Sequence, residues 1–163
     1  MIVFLRIDER LIHGQIAIAW SKSLAVTHIV VANDEIVDQA VQKSAILMAS
    51  PSDVKTIIKS VDEAIGILQD PRLAEKRVMV IVKRPADALR LVKAVPGIPA
   101  VNVGNTGLLG DTSGNKEFVK FIRLSGKDVE CLKEIQAIVP VELQVIPDSI
   151  KKSFNSVIGG GGK

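Results

Sequence analysis

The stretch RVMVIVKRPADALRLVKAV, residues 77 to 95, changes its period halfway along. Residues 77 to 83 form a short β-branched run bounded by charges, the pattern of a strand buried on both faces. From Pro85 onward Leu89, Val92 and Val95 recur at helical spacing, and proline suits a helix's first turn, where its missing N–H would have had no partner. A strand that passes directly into a helix is half of a βαβ unit.

The alternation continues in both directions. Ile2 to Ile7, Thr27 to Ala32 and Val54 to Lys59 read as strands upstream, the last with a pattern short enough to fit a helix as well. Ala100 to Val103, Phe118 to Leu124 and Val141 to Ile146 read as strands downstream. Helical segments fall between them. Gln15 to Leu24 is the first; Asp34 to Ala49 is the second, capped by Asp34 and turning Val37, Ala40, Val41, Ser44, Leu47 and Met48 inward. Ser60 and Glu63 make a capping box ahead of Ala64, Ile65 and Leu68. Another helix opens at Gly126 with Val129, Leu132, Ile135 and Ile138 or Val139 facing inward, and a last one runs from Pro147 to Ile158. The expected fold is α/β: a single three-layer domain over residues 1–158, with a mostly parallel twisted sheet of about six to seven strands and helices on both faces. Residues 159–163 are expected to be a flexible Gly-rich tail.

Composition narrows the function. With 163 residues and 47% apolar content the chain can bury a continuous core. Its apolar runs fall well short of the roughly 18 residues of a membrane span. Arg6 and Asp8 interrupt the first one too early for a signal peptide, so a cytoplasmic location is expected. A single cysteine, Cys131, excludes an intramolecular disulfide and a cysteine-rich metal cage. The net charge of +3 comes with 3% aromatics and no tyrosine, which leaves few stacking partners for nucleic acid.

In an open parallel sheet, ligands bind beyond the carboxyl ends of the strands. Those ends carry Asp8, Glu9, Arg10 and His13 after the first strand, and Asn33 and Asp34 after the second. Lys83 and Arg84 follow the fourth strand, and Gly104, Asn105 and Thr106 the fifth. The irregular stretch 104–116, rich in Gly, Asn, Thr and Ser, is long enough to be a functional loop, with a mobile hairpin as the plainer reading. His13 stands beside Gly14 at the start of a helix, where unsatisfied N–H groups favour an anion and would stabilise a phosphoryl group on the ring. Gly14 leaves room for such a group. The alternative is a turn histidine with no chemistry. Arg10 is the residue type that grips phosphate oxygens, and the competing reading is an ion pair with Asp8 or Glu9. Two carboxylates against one guanidinium make a poor field for phosphate, so Lys83 and Arg84 are expected to add positive charge. Asp8 can orient His13 or Arg10 through a hydrogen bond. Leu11 and Ile12 are expected to anchor the loop while Arg10 and His13 face solvent.

Other chemistries fail on spacing. Gly126-Lys127 is followed by Asp128, which breaks a phosphate-binding P-loop, and Gly104, Gly107 and Gly110 do not make a dinucleotide fingerprint. A zinc site is disfavoured, since His28 is expected to pack at a strand start and the cysteine is distant. No G-x-S-x-G elbow occurs.

RIDERLIHGQIAIAW (6–20), VVANDEIV (30–37), MASP (48–51), VNVGNTG (101–107) and VELQVIP (141–147) together resemble, in order and spacing, the IIB component of the mannose-class sugar phosphotransferase system. That class takes mannose, fructose, sorbose or N-acetylgalactosamine. The resemblance implies a protein-Nπ-phosphohistidine–sugar phosphotransferase. His13 would accept a phosphoryl group, at Nδ1, from a phosphohistidine on the IIA component and pass it to a sugar presented by membrane-embedded IIC and IID. It further implies attachment to the inner face of the plasma membrane through IIC and IID, self-association within the complex, and neither metal nor nucleotide cofactor. Contact roles for Asn105 and Thr106 are carried over from it. The alternative reading is a non-catalytic module that binds a phosphometabolite or a partner's carboxylate at the same strand ends.

Overall fold

All five residues from Val78 to Val82 are buried, and their alternation divides the molecule. Val78, Val80 and Val82 face one layer of helices, while Met79 and Ile81 face the other. In this computed structural model, which describes residues 1–160, that strand lies near the middle of a seven-stranded sheet.

The elements run β1 (Ile2–Ile7), α1 (Gly14–Ser23), β2 (His28–Ala32), α2 (Ala40–Ala49), β3 (Lys55–Lys59) and α3 (Val61–Leu68). There follow β4 (Val78–Val82), α4 (Pro85–Ala94), β5 (Val101–Val103), β6 (Lys116–Val119) and β7 (Ile122–Leu124). The chain ends with α5 (Gly126–Gln136), β8 (Val141–Leu143), β9 (Lys152–Ser153) and α6 (Phe154–Gly159). The main sheet has the order β3-β2-β4-β1-β5-β8-β9, and every pairing is parallel except β8 with β9. Ala64, Leu91, Leu132, Ile135 and Phe154 bring α3, α4, α5 and α6 onto one face. Ala17, Trp20 and Ile46 bring α1 and α2 onto the other. This is the three-layer α/β arrangement read from the alternation of periods.

β3 pairs in parallel with β2 along its whole length, which settles the ambiguous 54–59 segment as a strand. Ser60 and Glu63 form the reciprocal capping box, and Pro85 occupies the first turn of α4. α5 is capped by Ser125 and Asp128; Leu132 and Ile135 are buried, whereas Ile138 is exposed.

Four expectations need correction. Phe118 to Leu124 is not one strand of the main sheet but most of the antiparallel hairpin β6–β7, because the chain turns at Lys120 and Phe121 with Phe121 at a φ of +71°. The last strand stops at Leu143, since the following carbonyls at Gln144 and Val145 are taken by side chains. A helix from Pro147 to Ile158 is replaced by β9 and the short α6, with the Gln144 amide donating to Pro147 O and Ser149 O in the segment before them. The fourth concerns Asp34 to Ala49. Asn33 Oδ1 accepts from Glu35 N and Ile36 N to start a 3-10 turn over Ile36–Asp38, the chain breaks helical geometry at Gln39, and only then does α2 begin. Asp34 instead accepts from Val61 N at the start of α3. Apolar residues encircle α2, so its pattern does not choose a face. Ile46 turns inward, and Val41, Leu47 and Met48 turn to solvent. Of the expected tail, Gly159 closes α6 and residues 161–163 lie outside the described residues.

Candidate functional site

β1 ends between β4 and β5, and its loop is tied to both. Asp8 N donates to Val82 O at 2.9 Å, Glu9 N to Asn105 O at 2.8 Å, and Gly104 N to Ile7 O at 2.8 Å. Leu11 N donates back to Asp8 O while Leu11 itself adopts a φ of +58°, a region costly to non-glycine residues. Burial of Leu11 and Ile12 holds the turn in place, as expected of an anchor.

The residue that sequence reasoning missed is Arg6. It occupies a position of β1 whose neighbours are apolar, yet it is 1% exposed. Its guanidinium donates to Asn102 Oδ1, to Gln144 O at 3.1 Å, to Val145 O at 3.0 Å and to Asp8 Oδ2 at 2.9 Å. The Trp20 ring lies under it at 5.4 Å and stacks in turn on Phe4. Burial pushes the Arg6 guanidinium down from its ordinary value and the Asp8 carboxylate pushes back; arginine keeps its proton in proteins. Glycine at position 104 makes room for this side chain, because a Cβ there would clash with Arg6 Nη2 and force the guanidinium to shift. The available signal was the arginine itself, a charge inside an otherwise apolar strand.

Asp8 is fully buried and gathers the site. Oδ2 accepts from Arg6 and, at 3.4 Å, from Asn105 Nδ2; Oδ1 accepts from Arg10 N at 3.1 Å. The same Oδ1 lies 3.7 Å from His13 Nδ1. His13 is the N-cap of α1, in extended geometry, and its side chain caps nothing. Gly14 follows at a φ of +47°, and a Cβ there would meet no atom within 4 Å, so backbone conformation rather than crowding calls for glycine.

The expectation that Arg10 and His13 both face solvent holds for Arg10 alone. The His13 side chain is 21% exposed, and both ring nitrogens are covered and lack a hydrogen-bond partner. The unfavourable count of two carboxylates in this loop is resolved by geometry. Asp8 is compensated by Arg6, and Glu9 turns away to accept from Leu108 N and Leu109 N. Arg10 forms an ion pair with neither, so its guanidinium remains available.

Lys83 and Arg84 both reach Glu35, Lys83 at 3.3 Å. Arg84 first, then Lys83, holds the Glu35 carboxyl below the usual carboxylate range. Lys83 borders two clefts: one of about 310 Å³ with Arg10, Leu11, Ile12, Gln42 and Ala45, the other of about 400 Å³ with Arg84, Thr106 and Gly107. Asn105 and Thr106 are buried; Thr106 is fixed between the hairpin's Phe121 O and Arg123 N. Asn33 is buried with its amide oxygen engaged in the turn before α2. His28 is half-buried at the first residue of β2, the end of that strand opposite Asn33, with Nδ1 against Thr27 Oγ1.

Together these features define a parallel α/β protein whose strand ends present a histidine, a free guanidinium and a neutralised carboxylate on one loop. Residues 2–161 match the family described as PTS system sorbose subfamily IIB component, and the chain belongs to that family. It is 33% identical over 162 residues to a probable phosphotransferase enzyme IIB component of Streptococcus pyogenes serotype M6, covering 97% of this chain and 99% of the relative. It is 34% identical over 140 residues to the mannose-specific EIIAB component of Escherichia coli K12, covering 86% of this chain and 42% of that longer protein. The crystal structure of the IIBSor domain of the sorbose permease from Klebsiella pneumoniae superposes with a TM-score of 0.90 at 25% identity, covering 99% of this chain and 98% of that one. The chain is thus a IIB component of the sorbose and mannose class of sugar phosphotransferase systems. No helix among the described residues is long and apolar enough to cross a membrane.

Proposed function

We propose that this protein is the phosphoryl carrier of its transport system, with His13 as the acceptor. A phosphohistidine on the IIA component loses its N–P bond, and a new N–P bond forms on the His13 imidazole. The group then passes to a hydroxyl of a sugar held by IIC and IID at the inner face of the membrane. The observation that carries this reading is the uncommitted Arg10 guanidinium on the loop of a histidine at a helix N-terminus, with the loop's own carboxylates engaged elsewhere. Arg10 grips the transferring group as charge spreads over its oxygens, and the N–H groups of α1 add to the anion's stabilisation. Asp8 is the positioning residue that keeps His13 in place between transfers. Because both ring nitrogens are covered, the ring turns outward to receive the group. Lys83, Arg84 and Thr106 border the cleft beside the loop, where the two cations, both shared with Glu35, add to the phosphate field; Asn105 acts through Asp8, and Asn33 supports the turn that carries Glu35. A relative that joins IIA and IIB in one chain supports a IIA partner.

The test is labelling from phosphoenolpyruvate through the general phosphotransferase proteins and the cognate IIA. An acid-labile, alkali-stable phosphate should appear on His13. Full labelling of His13→Ala, or tight binding of a phosphometabolite with no covalent phosphate, would replace this reading by that of a binding module.

A further inference from the structure

Among the described residues, two apolar surfaces stand open to solvent. One is a groove of about 620 Å³ between the β6–β7 hairpin and the segment after β8, lined by Phe121, Ile146 and Ile150 among others; no residue of the 8–13 loop borders it. The other is the outer face of α2, where Val41 is 84% and Met48 86% exposed. Val41, Ser44, Ala45 and Met48 stand three, four and seven residues apart, so they form one stripe on the side away from buried Ile46. None of the four is charged.

We infer that the α2 stripe is the docking surface for the phosphohistidine-bearing donor domain, a proposal that rests on the carrier reading above. The deciding feature is continuity. Ala45 belongs to the stripe and also walls the cleft that holds Arg10, Leu11 and Ile12. A partner seated on α2 therefore reaches the loop of His13 without crossing other structure. Charge decides the kind of partner. An unpaired cation at one end and an uncharged apolar strip beyond it match a protein that carries an anionic group, its phosphohistidine, beside an apolar collar. Methionine suits such a contact, since its flexible side chain adapts to a surface that must bind and release. A second copy of this chain fits poorly. Two-fold pairing through α2 would bring two Arg10 side chains toward one interface, like charge toward like charge.

The test measures His13 labelling in Met48→Asp and Val41→Asp as the concentration of phosphorylated IIA is varied. Both positions are solvent-facing, so unchanged melting temperatures serve as the folding control. The KM for phosphorylated IIA should rise about tenfold, the effect of placing a charge in an apolar contact, while the rate at saturation stays near that of the parent. Labelling by phosphoramidate, a small donor that needs no docking surface, should be unaltered in both variants. An unchanged KM overturns the proposal and leaves the carrier reading standing. So does a rise in KM confined to Phe121→Asp, which would move the surface to the hairpin groove. A dimer dissociated by Met48→Asp with the same KM assigns the stripe to self-association and also overturns it. If neither donor labels the parent protein, the carrier reading fails and the docking proposal falls with it.

Discussion

Arg6 and Asp8, two residues apart on β1, form an ion pair at 2.9 Å with both side chains sealed from water. Neither charge is tolerable there alone, because removing one partner leaves the other desolvated and uncompensated. Each is completed by other segments, Arg6 by Asn102 and the carbonyls after β8, and Asp8 by Asn105 and the Arg10 amide.

Asp8→Ala should therefore destabilise the fold by about 3–5 kcal/mol, the usual cost of breaking a buried pair from one side. Urea denaturation measures it. A loss under about 1 kcal/mol would mean that water reaches Arg6 and that the pair is not buried in solution.

Gly104→Ala tests the same cluster by sterics. The new methyl group overlaps the Arg6 guanidinium, so the arginine must move and its contacts loosen. Overpacking of this kind costs roughly 1–3 kcal/mol. Because Asp8 depends on Arg6, His13 labelling should slow as well, and an unchanged melting curve would show that Arg6 has another place to go.

Arg10→Lys separates chemistry from folding. The side chain is exposed, so the melting temperature should not move. Losing the planar two-point grip on phosphate should slow phosphoryl transfer by at least about tenfold. Stopped-flow transfer from phosphorylated IIA gives the rate, and parent-like kinetics would remove Arg10 from the mechanism.

Glu35→Gln probes the ion cluster beside the site through pH. Arg84 and Lys83 keep the Glu35 carboxyl ionised below its ordinary range, so in that interval the unfolded chain binds more protons than the folded one. The contribution to stability is complete above about pH 4.5 and fades as pH falls through the lowered folded value. The variant should melt below the parent at about pH 7 and together with it once acid has protonated Glu35. A gap that persists in acid would point to lost packing instead of charge.

The strands and most helices were legible because periodicity is a local property. β4 and Pro85 needed nothing beyond their own neighbours, and neither did the capping box at Ser60. The hairpin was hidden because FVKFIRL is an apolar-rich run with no Gly, Pro or Asn to mark a turn, and a positive φ at a phenylalanine leaves no sequence mark. The outward face of α2 was hidden for a related reason: apolar residues lie all around that helix, and only its seat on the sheet selects Ile46.

The amino-acid order by itself determined the α/β class, the loop that carries Arg10, His13 and Gly14, and, through five motifs in sequence, the family. The tertiary structure decided which charges on that loop are free. Compensation of Asp8 by Arg6, the turning of Glu9 toward Leu108 and Leu109, and the engagement of Lys83 and Arg84 by Glu35 all depend on how the strand ends and their loops converge. Electrostatic balance is set by distance in space and by access to water, and folding creates both where the chain order shows neither.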